Sequence, residues 1–335
     1  MKFLITGCCG FIGSNLILTL FERLKDIEIH GIDNFTENYN PEFKKSNLSE
    51  LEKCGINFIF YERDLLEDNL LEIIHPDLII HLAAIPGVRK SLDEPVFYLR
   101  NNIEAFIKLL EDAKRIGLKN VIYASSSSVY GKNKKVPFSE NDTLESPQSS
   151  YACSKLSMEV YAKYYNDVFQ MNTVGTRFFT VYGERGRPDM APYMFMKAIA
   201  EEKEIKQFGD GSSYRDYTHI SDIVEGILKI ANKIMNGNKS LKHVYNLGRG
   251  EPVNLKKFIK TCENVIGKKA IVNEIENQTG DVHHTFADIT FAKQDFNYDP
   301  IIKLEDGLRK GFEWMKRNNR IELLNENTKE IIGQY

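Results

Sequence analysis

The sequence predicts an α/β fold, a doubly wound parallel sheet carrying a smaller C-terminal α/β lobe. Three observations carry that expectation. In the first half, short apolar runs rich in branched residues alternate with amphipathic stretches, as parallel strands joined by helical crossovers must. The runs LIIHLAA and VIYAS are apolar without alternation, which suits strands covered on both faces. Past about residue 180 the pattern loosens into Gly- and Pro-punctuated loops between isolated helical segments.

Taken in order, KFLIT is a strand, Ile12 to Leu24 a helix, and IEIHGID, NFIFYERD and PDLIIHLAA are the next three strands. VFYLRNNIEAFIKLLEDAKRI, Val96 to Ile116, reads as one long helix, and NVIYASS as the strand after it. A second long helix starts in SPQSSYACSK, where Pro147 and the serines supply start signals, and continues to Phe169. Beyond it the loops VYGERGRPDMAPY, FGDGSSYRDY, NLGRGEP and NQTGDVHH surround the helical stretches SDIVEGILKIANKI, VNLKKFIKTCENVI and KLEDGLRKGFEWMKR. The expected organisation is therefore a cofactor-binding domain over 1–180 and mainly a substrate-binding lobe over 181–318. Some segments of that lobe are expected to return to the sheet, and 319–335 reads as a polar tail.

Composition excludes several classes of function. With 42% hydrophobic and 27% charged residues the chain is an ordinary globular one, and a net charge of −3 offers no basic field for nucleic acid. The five cysteines, Cys8, Cys9, Cys54, Cys153 and Cys262, are odd in number and lack CxxC spacing, so neither a disulfide framework nor a metal site is expected. A reducing cytoplasm fits. No targeting signal and no apolar run of membrane-spanning length is visible.

GCCGFIG places Gly7, Gly10 and Gly13 every third residue between the first strand and the first helix, with Phe11 and Ile12 at the helix start. Glycine permits a tight turn, close backbone approach to a pyrophosphate, and close packing of helix on strand. Asp33 follows Gly13 by 20 residues, at the end of IEIHGID, where a carboxylate accepts bonds from ribose hydroxyls and repels a 2'-phosphate. A Rossmann-type domain with NAD as cofactor is the expectation. Asn34, the pair Asp64 and Leu65, and Leu82, Ala83 and Ala84 lie at successive strand ends and are assigned to the same cofactor. Cys8 and Cys9 are read as small residues that fit the loop, although a helix N-terminus would lower a thiol pKa there.

Tyr151 and Lys155 fall four apart on one helical face. A phenol is a poor base at neutral pH, and a nearby ammonium lowers its pKa. Such a pair is common on ordinary helices, so its weight comes from its setting. GCCGFIG, Asp33, HLAA, ASSSSVYG and YACSK occur in that order and spacing, and over residues 1–318 the chain resembles the extended short-chain dehydrogenase/reductase family, specifically its NAD-dependent nucleotide-sugar epimerases and dehydratases. The resemblance implies that Tyr151 is the catalytic base, that Lys155 holds the nicotinamide ribose and lowers the tyrosine pKa, and that Ser126 bonds the reacting hydroxyl. It also implies a UDP-sugar substrate anchored by Arg187, Arg215, Gln207 and Phe208, and a homodimer built from the helices near Val96–Ile116 and Ala152–Phe169.

Dehydratases of this family carry Asp-Glu after the catalytic hydroxyl residue; here those positions are Ser127 and Ser128, which cannot do that acid and base work. AAIPGVRKSLDEP with Arg89, TRFFTVYGERGRPDMAPYMFMKAI, RDYTHISDIVEGI, and GDVHHTFADI with Asp281 look like UDP-glucuronate 4-epimerases. Ser126, Ser127, Ser128 and Thr180 supply neutral donors for a sugar carboxylate without locking it as an arginine would. The expected reaction is C4 oxidation, rotation of the 4-keto sugar and re-reduction, giving UDP-galacturonate. A UDP-glucuronate decarboxylase and a UDP-glucose or UDP-N-acetylglucosamine 4-epimerase are the alternatives, with a non-catalytic NAD-binding sensor more remote. His283 and His284 stand where the family has small residues; a metal there lacks a third ligand, and the uridine side of the cleft is the other reading.

Overall fold

The computed structural model describes residues 1–54, 57–68, 70–237, 240–276, 284–318 and 320. In chain order its strands are β1 Lys2–Thr6, β2 Glu28–Asp33, β3 Phe58–Glu62, β4 Leu78–His81, β5 Asn120–Ser126, β6 Asn172–Phe178, β7 Thr180–Tyr182, β8 Glu204–Phe208, β9 Tyr214–His219, β10 Val244–Leu247, β11 Pro252–Asn254, β12 Ile271–Ile275 and β13 His284–Thr285. Seven of them form one sheet in the order β10-β6-β5-β4-β1-β2-β3, and every neighbouring pair is parallel. The fold is the doubly wound α/β class expected from the alternating runs. Strand order reverses beside β1, so the loops leaving the carboxyl ends of β1 and β4 part there and open a crevice.

Side-chain alternation builds a core on each face. Phe3 and Ile5 pack with Leu16, Ile17 and Leu20 of the helix Phe11–Arg23 and with Ile223, Ile227 and Ile230 of the helix Ile220–Met235. Leu4, between them in sequence, faces the other way, toward Phe106, Leu109 and Leu110 of Ala105–Arg115 and Met158, Ala162 and Tyr165 of Ser150–Phe169. The latter helix begins at the predicted serines, with Ser149 Oγ accepting the Ala152 N–H at 3.1 Å.

Past residue 180 the chain does two things. It supplies β10 and the helix Ile220–Met235 to the large sheet, and it builds small sheets in which β9 pairs β11, β13 and β7, and β8 pairs β12. A third apolar cluster joins Tyr39 and Phe43 to Tyr193, Phe195, Phe258 and Trp314.

The single helix expected over Val96–Ile116 is three pieces: Pro95–Tyr98, a widened π turn over Leu99–Glu104, and Ala105–Arg115. The widening accompanies a polar side chain taken inward. Asn102 is fully buried, accepts from Ile85 N at 2.7 Å, and donates to Ile85 O at 3.1 Å and Ser154 Oγ at 3.0 Å. Those bonds fasten the loop after β4 to the Tyr151 helix, and a π turn at such a place is a common mark of a functional site.

Candidate active site

The crevice between β1 and β4 is the mouth of a cavity of about 660 Å³. Gly7 has φ of 67°, and a Cβ there would sit 2.8 Å from Ala83 N; the loops after β1 and β4 touch only because the side chain is absent. A Cβ on Gly13 would lie 2.3 Å from Gly7 O, so that glycine sets how closely the first helix meets its strand. Gly10 caps this helix without a side-chain bond, leaving the first amides for an anion. Asp33 Oδ2 accepts from Cys9 N at 3.2 Å and Oδ1 from Phe35 N at 2.9 Å, with Lys44 Nζ 3.7 Å from Oδ1. The carboxylate thus steadies the loop and lines the cavity together with Asn34, Asp64, Leu65, Leu82 and Ala84.

Cys8 and Cys9 are buried, their sulfurs 3.6 Å apart. Burial, reinforced by Cys9, pushes the Cys8 thiol well above its ordinary pKa, opposite to the lowering that a helix N-terminus alone would produce. Their sulfurs and the Asp33 carboxylate lie within 4.8 Å of one another. With Asp33 already accepting two amides and Cys8 holding its proton, this is a poor donor set for a cation.

Tyr151 and Lys155 share the cavity wall with Ser126, Ser127, Ser128 and Thr180. Lys155 is buried and its Nζ donates to Ala124 O at 2.8 Å. Burial drives its pKa down to about 7, with the nearby Glu159 charge opposing. The expected lowering of the tyrosine by this ammonium does not hold in this geometry. Nζ lies 5.9 Å from the Tyr151 ring centroid, and the phenol is raised, first by burial, while a hydrogen bond with Ser126 and the Arg187 charge pull it partly back. Ser126 also accepts from Ser128 N at 3.2 Å and Ser128 Oγ at 3.0 Å, which closes the short turn after β5.

A buried network fixes this helix from behind. Glu159, one turn beyond Lys155, accepts from Arg177 Nε at 2.9 Å and Nη2 at 2.7 Å. Arg177 Nη1 donates to Tyr130 Oη at 2.8 Å, and Tyr130 donates to Asn246 Oδ1 at 2.7 Å. The chain of bonds runs from the Tyr151 helix through β6 to β10.

A profile of the NAD dependent epimerase/dehydratase family matches residues 3–248. The chain belongs to that family. It is 38% identical over 331 residues to the UDP-glucuronate 4-epimerase of Thermodesulfobacterium geofontis, across 96% of this chain and 98% of the relative. The structure of UDP-glucuronic acid 4-epimerase from Bacillus cereus, solved with UDP-glucuronic acid and NAD, superposes with a TM-score of 0.87 at 35% identity, covering 95% of this chain and 100% of that one. UDP-glucose 4-epimerase from Thermotoga maritima, solved with UDP-glucose, gives 0.85 at 27% identity over 95% and 100% of the two chains.

The residues of this epimerase/dehydratase family member fit NAD. The glycine loop and the bare helix start accept a pyrophosphate, and Asp33 lies at the cavity wall where a ribose needs an acceptor. Arg89, Arg187 and Arg215 also line the cavity. Arg187 Nε bonds Asp189 Oδ1 at 3.0 Å. Gln207 departs from the expectation: it is buried, donating to Gly209 O at 3.0 Å and Glu274 Oε1 at 3.2 Å. Ile205 and Gln207 are the buried positions of β8, so alternation turns both inward, away from the cavity. Phe208 meets the site through Arg89, whose guanidinium lies 4.5 Å from its ring centroid. Asp281 and His283 lie outside the described residues, while His284 stacks on Tyr214 at 4.7 Å beside Thr285 and Arg215 of the wall. Tyr39, Lys44, Asn101, Phe178 and Asp189 also line the cavity and have no counterpart among the sequence-based assignments. The Asn101–Asn102 pair interrupts an otherwise apolar helical stripe, a signal for an inward-facing polar group; the stretch around Tyr39 and Lys44 has no such periodicity.

Proposed function

We infer that this chain is an isomerase converting UDP-glucuronate to UDP-galacturonate by NAD-dependent epimerisation at C4. The observation that carries the reading is one cavity lined by Tyr151, Ser126 and Lys155 together with the neutral hydroxyl residues Ser127, Ser128 and Thr180. Bound NAD supplies a reversible hydride acceptor for the C4 hydrogen. Tyr151 takes the 4-hydroxyl proton as C4 becomes a ketone, and gives it back to O4 once the sugar has presented its other face. Ser126 holds the reacting oxygen in line with the phenol. Lys155, fixed by Ala124 O, would hold the nicotinamide ribose of the bound cofactor. Arg187 and Arg215 hold the diphosphate while the sugar turns.

The 4-keto uronic acid is a β-keto acid and loses carbon dioxide when the bond to its carboxylate stands perpendicular to the ketone plane, in overlap with the carbonyl π system. Serine and threonine hydroxyls hold the carboxylate without the fixed bidentate geometry of an arginine, which favours epimerisation over decarboxylation. Incubation with UDP-glucuronate, UDP-glucose and UDP-xylose, with products resolved by NMR, tests the reading. UDP-galacturonate from UDP-glucuronate is expected; a 4-keto pentose with released carbon dioxide, or turnover of UDP-glucose alone, would contradict it.

The same proposal assigns 1–180 chiefly to cofactor and chemistry and 181–318 chiefly to substrate. It also makes the protein a homodimer. Val96 is 75% exposed, Val160 62% and Val168 56%, with Leu99 and Tyr164 also exposed, along helices that lie against each other; exposed apolar side chains on neighbouring helices suit a second copy. Light scattering at the monomer mass would remove the dimer. Among the described residues no helix is long and apolar enough to cross a membrane, and the cysteines are free, which supports a reducing cytoplasmic setting.

A further inference from the structure

No motif accounts for Arg320, yet it is fully buried. Its guanidinium lies 4.8 Å from the Phe43 ring centroid and 5.2 Å from that of Trp314. Nη2 donates to Asn47 Oδ1 at 3.3 Å, while Nε and Nη1 have no partner among the described residues. The Tyr193 hydroxyl donates to the Arg320 carbonyl at 3.1 Å. Asn47 uses its other end on the glycine loop, Nδ2 donating to Cys9 O at 2.9 Å. Three residues earlier on the same helix, Glu42–Glu52, Lys44 donates to Thr36 O at 3.1 Å and lies 3.7 Å from Asp33 Oδ1.

One helix therefore reaches the glycine loop through Asn47 and the Asp33 carboxylate through Lys44, and the same Asn47 receives Arg320. A buried guanidinium with one long hydrogen bond is costly, and two aromatic faces offset only part of that cost. An apolar side chain of similar size would fill the space more cheaply. What the arginine adds is direction: it fixes the Asn47 amide so that its N–H points at Cys9 O.

We propose that Arg320 and Asn47 are positioning residues for the cofactor, a latch that holds the glycine loop against the pyrophosphate and sets how slowly NAD leaves. The proposal rests on the reading of this loop as the NAD cradle. It suits a reaction in which the cofactor is reduced and reoxidised within one turnover and has no need to depart.

The test is the rate at which the full-length protein, loaded with labelled NAD, exchanges it for unlabelled NAD. Arg320→Met and Asn47→Leu are each expected to speed exchange about tenfold, the worth of one buried hydrogen bond, and to raise the KM for NAD while kcat at saturating NAD stays near the parent's. Because both act through one amide, the double variant should release NAD no faster than Asn47→Leu alone. Asn47→Asp, which keeps an acceptor for Arg320 and loses the donor to Cys9 O, should also release NAD faster and serves should Arg320→Met fold poorly. Parental exchange rates in Asn47→Asp and Arg320→Met, or a fall in kcat matching the loss of NAD affinity, would overturn the latch. A parent protein that binds no NAD would overturn the cradle reading instead.

Discussion

Tyr151 works from a position where burial alone favours the protonated phenol, countered by Ser126 and by the charge of Arg187. That balance suits a group that must both take and return a proton. Tyr151→Phe is expected to keep NAD binding and lower turnover of UDP-glucuronate about a thousandfold, within the usual span for a lost acid/base group. Ser126→Ala should cost less, because the phenol remains. Near-parental turnover in the phenylalanine variant would remove Tyr151 from the chemistry. Lys155 yields a stability prediction. Its folded pKa of about 7 lies below the unfolded value of about 10.4, so between those limits the unfolded chain binds more protons and stability rises with pH. Urea midpoints of the parent and Lys155→Met, measured from about pH 7 to about pH 10, should show the parent gaining on the variant as pH rises; a constant difference would contradict the depressed lysine.

At the scale of elements, strands and crossovers were legible because apolar runs and glycine positions report local geometry. GCCGFIG predicted the loop after β1, and contacts of Gly7 and Gly13 give its physical reason. The departures arise where a polar side chain faces inward. Asn102 splits the long helix with a π turn, and Gln207 follows Ile205 into the interior of β8; residue type alone gives neither orientation, and only the apolar stripe around Asn102 and the alternation along β8 signal them. Asn102→Leu should cost about 2–3 kcal/mol, because the amide and carbonyl of Ile85 lose their buried partner, and the loss should appear in urea unfolding. A change below about 0.5 kcal/mol would mean that water or a shift of the loop satisfies both groups.

At the scale of the whole molecule, the site depends on contacts that sequence proximity cannot show. β10 forms an edge of the large sheet from beyond residue 180, and its Asn246 carries the network that begins at Glu159 of the Tyr151 helix on to Phe138 O and Asp288 O. Asp216, next to Arg215, is fully buried and accepts from Arg249 N and Gly250 N at 2.8 Å and Ala287 N at 3.1 Å, fastening two distant stretches to β9. The order of motifs was enough to indicate the family; that Tyr151, Lys155 and Ser126 line one cavity, and how the late chain braces them, required coordinates. The central claim is that C4 gives up its hydride and receives the same hydride back within one active site. UDP-glucuronate deuterated at C4, turned over by the purified protein in ordinary water and followed by NMR, tests it most directly. The account predicts UDP-galacturonate with the deuterium still on C4 and no carbon dioxide released; loss of the label to solvent, or a decarboxylated 4-keto sugar as the product, would contradict it.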